Sequence, residues 1–311
     1  MGKYYIAVDG GGSKTAFCAL SIQAGTIRTT YAGKSNYKTT ETDLERTNIL
    51  EGFQALFAEC GFAADRVQGL TMGMSGCDTP EDFAHYWDIA LETGIPKERI
   101  YLCNDSELAF YAGGTPPGLC MIAGTGSVST GITKDGRKAR SGGWGFPISD
   151  EGSGAWIGSH ALSAALRYAD GYAPFDPLFE ELRSALGAQA FEELPHILPQ
   201  LNVTDIADKA RIVMDMADKS TNAFAAELVA KAAGLAAQIA ASVYFKLDFA
   251  QESCVDVVMA GSLFKSTAYL NAFQKAFCET IQGENVSFLK EVKSPVLGGI
   301  ALAKQMFPPL L

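Results

Sequence analysis

Short apolar runs and stretches with helical periodicity alternate along the first third of the chain. Residues 15–22 predict a strand, with the apolar residues Ala16, Cys18, Leu20 and Ile22 on one face and Thr15, Phe17, Ala19 and Ser21 on the other. Further strands are predicted over the short apolar run that begins at Ile6 and ends at Asp9, and at 26–32, 67–72 and 99–103. Helices are predicted to begin near Thr40, at Pro80 and at Ser106. Thr40 would form a capping box with Asp43. The predicted order is β-β-β-α-β-α-β-α.

Residues 113–118, GGTPPG, interrupt every pattern, as expected at a domain junction. The opening order then returns, with a strand at 119–123, a glycine turn at 124–127, a strand at 128–133 and a hairpin turn at Asp135-Gly136. We therefore predict an α/β protein of two domains, residues 1–115 and 116–295, in which a duplicated unit faces its copy across a cleft. A length of 311 residues also favours two domains.

Helical sequence dominates residues 153–247. Its most apolar part, residues 224–245, has apolar side chains at helical intervals but also contains Glu227, Lys231 and Gln238, which predicts a core helix rather than a membrane span. Strands follow at 255–259 and 286–289. A last helix at 295–306 is expected to pack back and complete the first domain.

The segment DGGGSKT, from Asp9 to Thr15, places a carboxylate and three glycines between two strands. Glycines let backbone N–H groups approach a polyphosphate closely. A Walker loop would need a glycine where Ser13 stands, and a dinucleotide fingerprint would need a third glycine near Thr15 followed by a helix. Taken alone, the motif leaves a bare hairpin and a phosphate-binding turn equally open.

Composition excludes several classes of function. A formal net charge of −10 argues against nucleic-acid binding, which depends on clustered Lys and Arg. The seven cysteines are scattered, without a C-x-x-C pair, as in a reducing cytosol, and the three histidines give little support for zinc. The first residues lack a signal segment. We expect a cytoplasmic protein with no membrane partner.

Five segments in order carry a resemblance: DGGGSKT at 9–15, SN at 35–36, ND at 104–105, AGTGS at 123–127 and GGWGFPISDEGSGAWIG at 142–158. AGSLF at 260–264 and SPVLGGIALA at 294–303 extend it over nearly the whole chain. Together they resemble the N-acetylglucosamine kinases, of BadF/BadG/BcrA/BcrD type, within the actin-like ATPase and sugar kinase superfamily. The resemblance implies two ribonuclease H-like domains, with an interdomain ATP and sugar cleft and a helical insertion in the second domain.

The resemblance also implies ATP-dependent phosphorylation of the 6-hydroxyl of an amino sugar, with Mg²⁺, by a homodimer. N-acetylglucosamine is the expected substrate, with N-acetylmuramic acid or glucosamine as further candidates. The implied nucleotide-binding residues are Gly11, Gly12, Ser13, Lys14, Gly124, Thr125, Gly126, Gly261 and Ser262. The implied sugar-binding residues are Asn36, Asp105, Gly143, Trp144 and Asp150, with Asp105 as the catalytic base.

Residue chemistry supports several of these roles and leaves structural alternatives open. Asp9 lies at the mouth of the turn, where a hard carboxylate can hold Mg²⁺ directly or through water. Asp105 could accept the sugar hydroxyl proton or cap the helix that follows it. Asn36 could bind sugar or serve a turn, and Trp144 could flank the sugar or lie in the core. Lys14 could reach the phosphates or solvent.

Two other functions compete with the kinase. One is an ATPase that activates 2-hydroxyacyl-CoA dehydratases or benzoyl-CoA reductases, where an iron–sulfur cluster would need cysteines gathered at a subunit interface. No cysteine lies between Cys120 and Cys254, which counts against it. The other is a sugar-binding regulator, which would be expected to carry a DNA-binding module and to lack Asp105.

Overall fold

The computed structural model describes residues 2–41, 43–290 and 293–309. The chain divides into two compact units. The N-terminal unit comprises Met1–Thr115 and Lys290–Leu311, and the C-terminal unit comprises Pro116–Leu289. Each has one five-stranded sheet, so the predicted α/β class and two-domain architecture are confirmed.

The N-terminal unit is built on a mixed sheet in the order β3-β2-β1-β4-β5. β1 pairs with β2 antiparallel and with β4 parallel, and β4 pairs with β5 parallel. Its strands and helices are β1 (Tyr4–Gly10), β2 (Thr15–Ser21), β3 (Ile27–Ala32), α1 (Leu44–Cys60), β4 (Val67–Met74), α2 (Pro80–Glu92), β5 (Ile100–Asn104) and α3 (Asp105–Tyr111). Except for α1, whose start was predicted near Thr40, the elements with predicted bounds lie within about two residues of the prediction, because strand patterns and glycine turns are local signals.

Both faces of this sheet are covered, which explains why β1 and β2 are apolar almost throughout. Phe17 and Ala19 of β2 join the core under α1 and α2. Ala16, Cys18 and Leu20 join the opposite core, which lies under the last helix of the chain. The predicted two-faced alternation of residues 15–22 is confirmed, with Ile22 partly buried on the even-numbered face.

The C-terminal unit repeats the same topology. Its sheet order, β10-β9-β6-β7-β8, matches β5-β4-β1-β2-β3 strand for strand. Its elements are β6 (Gly118–Ala123), β7 (Ser127–Ile132), β8 (Lys138–Gly142), α4 (Gly154–Ala169), α5 (Pro177–Ala185), α6 (Leu194–Ile197), α7 (Val203–Asp218), α8 (Ala223–Lys246), β9 (Val255–Ala260), α9 (Thr267–Ile281) and β10 (Val286–Lys290). The repeated pattern in the sequence therefore corresponds to a repeated sheet.

α8 is buried along a stripe of alanines. Ala232, Ala236 and Ala240 are inaccessible to solvent, whereas Leu235 and Ile239 are only partly buried. Of the large apolar residues that predicted a core helix, Leu228 and Val243 are buried, and the alanines complete the buried face because small side chains allow neighbouring helices to approach closely. α8 is long and apolar enough to cross a membrane by composition, but just over half of its most apolar window, 56%, is buried inside the protein.

The last helix, α10 (Pro295–Met306), packs on the N-terminal sheet. Thr71 Oγ1 donates a hydrogen bond to the carbonyl of Gly299, at 2.8 Å, and Tyr5 Oη donates to the carbonyl of Phe307, also at 2.8 Å. α10 also lies close to α3, because a Cβ at Gly298 would stand 2.0 Å from the carbonyl oxygen of Leu108. The end of the chain thus supports the helix that begins at Asp105.

The predicted capping box at the start of α1 is wrong. α1 begins at Leu44, and its N-cap Asp43 has φ of 65° and makes no capping bond with its side chain. The hydroxyl of Thr40 is buried without a hydrogen-bond partner among the described residues. The spacing of Thr40 and Asp43 fits a capping box, but a left-handed backbone at Asp43 does not have the extended geometry that an N-cap needs.

Candidate active site

The first glycine turn joins β1 to β2 and is held from two sides. The N–H of Gly11 donates to the carbonyl of Lys14 at 3.1 Å, which closes the turn. The N–H of Ser35 donates to the carbonyl of Gly11 at 3.0 Å, and the N–H of Ser75 donates to that of Gly10 at 2.8 Å. A Cβ at Gly10 would come within 2.6 Å of the Ser35 hydroxyl, so this glycine permits the close approach.

The predicted phosphate-binding residues of this turn are accessible. Gly12, Ser13 and Lys14 are exposed, and Asp9 is half-buried at the end of β1. The Lys14 ammonium lies 4.8 Å from the ring centroid of Tyr31, which is within range of a cation–π contact. The structure thus places Lys14 against an exposed aromatic ring of β3.

Asn36 lies in the loop after β3, and its side chain stabilises a turn there. Its Oδ1 accepts from the N–H of Lys38 at 3.1 Å, and its Nδ2 donates to the Ser75 hydroxyl at 3.3 Å. The buried Tyr86 hydroxyl donates to the carbonyl of Ser35 at 2.8 Å and also reaches that of Ser75. The loop that carries Asn36 is therefore attached to the loop after β4.

Asn104, and not Asp105, caps α3. The Asn104 Oδ1 accepts from the N–H of Ser106 at 3.0 Å and from its hydroxyl at 2.6 Å. Asp105 is the first residue of the helix and is half-buried. The N-cap alternative for Asp105 is wrong, because Asn104 has the extended backbone, with ψ of 148°, that an N-cap requires.

Three parallel strands bring these segments to one edge of the N-terminal sheet. In the strand register Gly10 lies beside Met74, and Met74 lies beside Asn104. The carboxyl ends of β1, β4 and β5 therefore coincide, as at the ligand-binding edge of open α/β sheets. Asp9 is the residue before the last of β1, and Asp105 directly follows β5. Both carboxylates therefore belong to the same edge of the sheet.

The second glycine turn, Gly124–Gly126, joins β6 to β7 and receives the start of α4. The N–H of Gly154 donates to the carbonyl of Gly124 at 2.7 Å, and the N–H of Ala155 donates to that of Thr125 at 3.1 Å. Thr125 is exposed. The turn is thus held in place by a helix, while its outer surface stays accessible.

Asp150 lies against this second turn. A Cβ at Gly126 would stand 2.5 Å from Asp150 Oδ2, so the glycine leaves room for the carboxylate. Asp150 is 8% exposed, has φ of 70°, and its Oδ1 has no hydrogen-bond partner among the described residues. Burial raises the pKa of Asp150 above its ordinary value, while hydrogen bonds from the backbone of Gly145 and Ser127 act in the opposite direction. A buried oxygen without a partner is suited to receive a ligand donor.

Trp144 is a surface residue of the loop before Asp150. Its side chain is 70% exposed, and the Arg140 guanidinium lies 4.4 Å from its ring centroid. Arg140 Nη2 also donates to the carbonyl of Gly143 at 2.7 Å, which holds the start of the loop. The core alternative for Trp144 is therefore wrong, and the ring is free to contact a ligand face.

Gly261 and Ser262 form the connection after β9. Gly261 has φ of 99°, and a Cβ there would stand 2.3 Å from the carbonyl oxygen of Ala123, so only glycine fits. Ser262 borders a cavity of about 690 Å³ that also contains Gly124 and Thr125 in its lining. The structure brings these predicted nucleotide-binding residues together.

One wall of this cavity comes from α7, which the sequence interpretation missed. Lys265, from the connection after β9, lines the cavity, as do Asp208, Arg211, Ile212 and Asp215 of α7. Their spacing of three, four and seven residues places them on one helix face. That periodicity was the available signal, but nothing in it shows which neighbour the face meets.

The described residues contain no group of three or more His, Cys, Asp or Glu side chains that could hold a metal ion. A single carboxylate such as Asp9 is compatible with Mg²⁺, since this ion is commonly bound by one or two carboxylates together with water and substrate phosphates.

Comparison with known proteins agrees with this architecture. Residues 6–302 match the BadF/BadG/BcrA/BcrD ATPase family. An N-acetylmuramic acid/N-acetylglucosamine kinase of Clostridium acetobutylicum is 33% identical over 215 residues, which is 68% of this chain and 70% of that protein. An N-acetyl-D-glucosamine kinase of Dictyostelium discoideum is 29% identical over 61% of this chain and 62% of its own.

A solved structure shares the fold over the whole chain. A candidate N-acetylglucosamine kinase from Chromobacterium violaceum superposes with a TM-score of 0.72 at 22% identity, and the match covers 97% of this chain and 99% of that one. The family match over residues 6–302 includes nearly all of both five-stranded sheets and both glycine turns. The chain therefore belongs to the BadF/BadG/BcrA/BcrD ATPase family.

Proposed function

We propose that this protein is an ATP-dependent kinase that phosphorylates the 6-hydroxyl of an amino sugar, with N-acetylglucosamine as the expected acceptor. The observation that carries the proposal is the common sheet edge at which the Asp9 turn and the Asn104-Asp105 turn end. A phosphate-binding turn and a carboxylate suited to accept a proton are the two parts that phosphoryl transfer to a hydroxyl needs. Both relatives compared above are kinases of amino sugars.

Asp105 is the proposed general base. Since Asn104 makes the capping bond, the Asp105 carboxylate is not required to cap α3. In the proposed reaction the sugar hydroxyl proton passes to Asp105, the oxygen bonds to the γ-phosphorus, and the bond from that phosphorus to the bridging oxygen of ADP breaks. A loose transition state depends more on positioning than on a strong base, so an ordinary carboxylate suffices.

The other roles follow from placement. The N–H groups of Gly11, Gly12 and Ser13 are proposed to bind the β- and γ-phosphates, with Asp9 holding Mg²⁺ directly or through water. When bound, Mg²⁺ would neutralise charge on the phosphates. The Lys14 ammonium would contact the phosphates only after its side chain moves away from the Tyr31 ring.

In the C-terminal unit, Gly124, Thr125 and Gly126 are proposed to contact the nucleotide. The cavity at Ser262, which is of suitable volume for a nucleoside, would take adenosine against Gly261.

Sugar binding is proposed for Asn36 in the N-terminal unit and for Gly143, Trp144 and Asp150 in the C-terminal unit. The unpartnered, buried Oδ1 of Asp150 is suited to accept a bond from a sugar hydroxyl. Trp144 offers an exposed ring to the C–H face of a sugar. N-acetylmuramic acid and glucosamine remain alternative acceptors, and the homodimer and cytoplasmic location remain predictions.

The test is an ADP-release assay with N-acetylglucosamine, N-acetylmuramic acid, glucosamine and glucose, run in parallel with Asp105→Asn. We expect one or more amino sugars to stimulate ADP release, and Asp105→Asn to lower kcat by about 10²-fold or more, as for loss of a general base. Asp88→Asn, an exposed carboxylate of α2, is the control and should keep wild-type activity. Turnover that no sugar stimulates, or full activity of Asp105→Asn, would refute the mechanism.

A further inference from the structure

A buried carboxylate outside the proposed catalytic groups gathers donors from two loops. Asp82, in the first turn of α2, is 2% exposed. Its Oδ2 accepts from Lys38 Nζ and from the N–H groups of Asp78 and Thr79, each at 2.8 Å. Its Oδ1 accepts from the Tyr37 hydroxyl. Asp82 therefore connects the loop after β3 with the loop after β4.

Helix capping explains only part of this arrangement. Thr79 and Asp82 form a capping box at the start of α2, which accounts for the bond from the N–H of Thr79. The box does not require Tyr37 or Lys38, which come from a loop more than 40 residues earlier in the chain. These two side chains follow Asn36 directly, so Asp82 holds the segment that carries the proposed sugar-binding amide.

A second contact extends the connection to the proposed base. Lys38 Nζ also lies 3.8 Å from Asp78 Oδ2, and Asp78 Oδ1 accepts from Asn104 Nδ2 at 2.8 Å. The other end of the Asn104 amide caps α3, whose first residue is Asp105. One continuous set of hydrogen bonds and ion pairs thus runs from the residues after Asn36, through Asp82 and Asp78, to Asn104.

The charge state of Asp82 is set by the same contacts. Burial by itself would raise its pKa, but hydrogen bonds from Lys38, Tyr37 and the backbone of Asp78 and Thr79 outweigh burial and lower the pKa below its ordinary value. The bond to Asp82 raises the pKa of Tyr37 to about 12, so its hydroxyl remains a donor at neutral pH. The ionised carboxylate is consequently present at any pH at which the protein would be assayed.

We propose that Asp82 is a positioning residue that holds the Asn36 loop in register with the Asn104-Asp105 turn. This inference rests on the proposed function, since it assigns Asn36 to the sugar and Asp105 to its proton. In the proposed mechanism Asp82 itself contacts neither the sugar nor ATP. Its negative charge keeps Lys38, Tyr37 and the loop after β4 together, and loss of that charge would let the two sugar-side segments move independently.

The kinetic test is Asp82→Asn, because asparagine keeps the shape of the side chain and removes its charge. We expect kcat/KM for the sugar to fall at least tenfold, mainly through a higher KM for the sugar, while KM for ATP changes less than twofold. A purely structural role would reduce the amount of folded enzyme, which lowers kcat and leaves both KM values unchanged. An unchanged sugar KM in a folded variant would overturn the proposal.

The matched control is Glu92→Gln. Glu92 lies at the other end of α2, carries the same charge and pairs with Arg46 of α1, and it makes no bond to the described residues of either loop. It should keep the wild-type sugar KM. Lys38→Met combined with Asp82→Asn completes a double-mutant cycle, in which contacts of one network are expected to be non-additive.

Amide exchange gives a readout that does not depend on turnover. The N–H of Ser106 donates to the Asn104 side chain and lies 24 residues beyond Asp82 in the chain. We expect it to exchange at least tenfold faster in Asp82→Asn, and to be unchanged in Glu92→Gln. Unchanged Ser106 exchange would overturn the proposal even in an active enzyme. A wild-type protein that phosphorylates no sugar would instead refute the proposed function. The exchange of the Ser106 N–H would then still show whether Asp82 holds the Asn104-Asp105 turn in place.

Discussion

Replacement of Gly298 by alanine tests how closely α10 packs on α3. The added Cβ would stand 2.0 Å from the carbonyl oxygen of Leu108 and 2.5 Å from the N–H nitrogen of Ala112. An ordinary carbon-to-oxygen contact needs about 3.3 Å, so the two helices would have to separate by about 1.3 Å. The contact is with backbone, and therefore no side-chain rotation can relieve it.

The expected cost follows from two opposing terms. Alanine has a higher helix propensity than glycine and would stabilise α10 by about 0.8–1.0 kcal/mol. Overpacking costs about 1–3 kcal/mol, and a backbone contact belongs at the upper end of that range. We expect Gly298→Ala to lower the free energy of unfolding of the N-terminal unit by about 2 kcal/mol, since the clash exceeds the gain in propensity.

Urea unfolding measures this change. Trp87 is the only tryptophan of the N-terminal unit, so a background with Trp144→Phe and Trp156→Phe makes its fluorescence a specific reporter. With a slope of about 2 kcal/mol per molar urea, the midpoint should fall by about 1 M. Since α3 begins at Asp105, folded Gly298→Ala enzyme that keeps Trp144 and Trp156 should also lose activity, because a displacement of about 1 Å can lower the rate by about 10²-fold.

Gly234→Ala is the control for this experiment. Gly234 lies inside α8, and a Cβ there would meet nothing within 4 Å. Its substitution should leave the stability followed by circular dichroism unchanged or raise it by up to about 1 kcal/mol. A Gly298→Ala variant that unfolds at the wild-type urea concentration would refute the close packing of α10 on α3.

Two further substitutions test the C-terminal unit. Asp150 has a raised pKa in the folded state, so its ionisation costs stability as pH rises from the unfolded pKa through the folded one. Asp150→Asn should therefore raise Tm at pH 7, and the gain should shrink as pH falls from the raised folded pKa toward the unfolded value of about 3.9. Sugar phosphorylation should be lost, and a lower Tm at pH 7 would contradict the sign. Tyr269→Phe removes the 2.7 Å bond to the buried carbonyl of Gly152 and should cost about 1–3 kcal/mol in denaturant unfolding; wild-type stability would show that bond to be dispensable.

Much of the fold could be predicted from the sequence because its signals are local. Strand alternation at residues 15–22 and glycine turns at Gly10 and Gly124 depend on neighbouring residues, and the repeat of that order indicated two similar sheets. α8 was identified as a core helix for the same reason. Its buried alanine stripe could not be identified, because which face packs closely depends on neighbouring helices that come from distant parts of the chain.

The candidate site was predictable in part. The sequence placed Asp9 at the mouth of a glycine turn and Asp105 at the junction of a strand and a helix, where the structure has them. It could not decide between Asn104 and Asp105 as the cap of α3, since both residue types are good caps and the choice depends on the backbone angles. The α7 wall of the cavity and the contacts of Asp82 join segments far apart in the chain, which a single sequence does not indicate.

The attachment of α10 to the N-terminal sheet has a consequence for the order of folding during synthesis. Thr71 bonds to Gly299 across 228 residues of chain, so the N-terminal unit cannot be completed until α10 has left the ribosome. The C-terminal unit, Pro116–Leu289, is continuous and can close first. We therefore expect residues 1–115 to reach their native state after the C-terminal unit, although they are synthesised before it, because one face of their sheet stays uncovered until α10 is made.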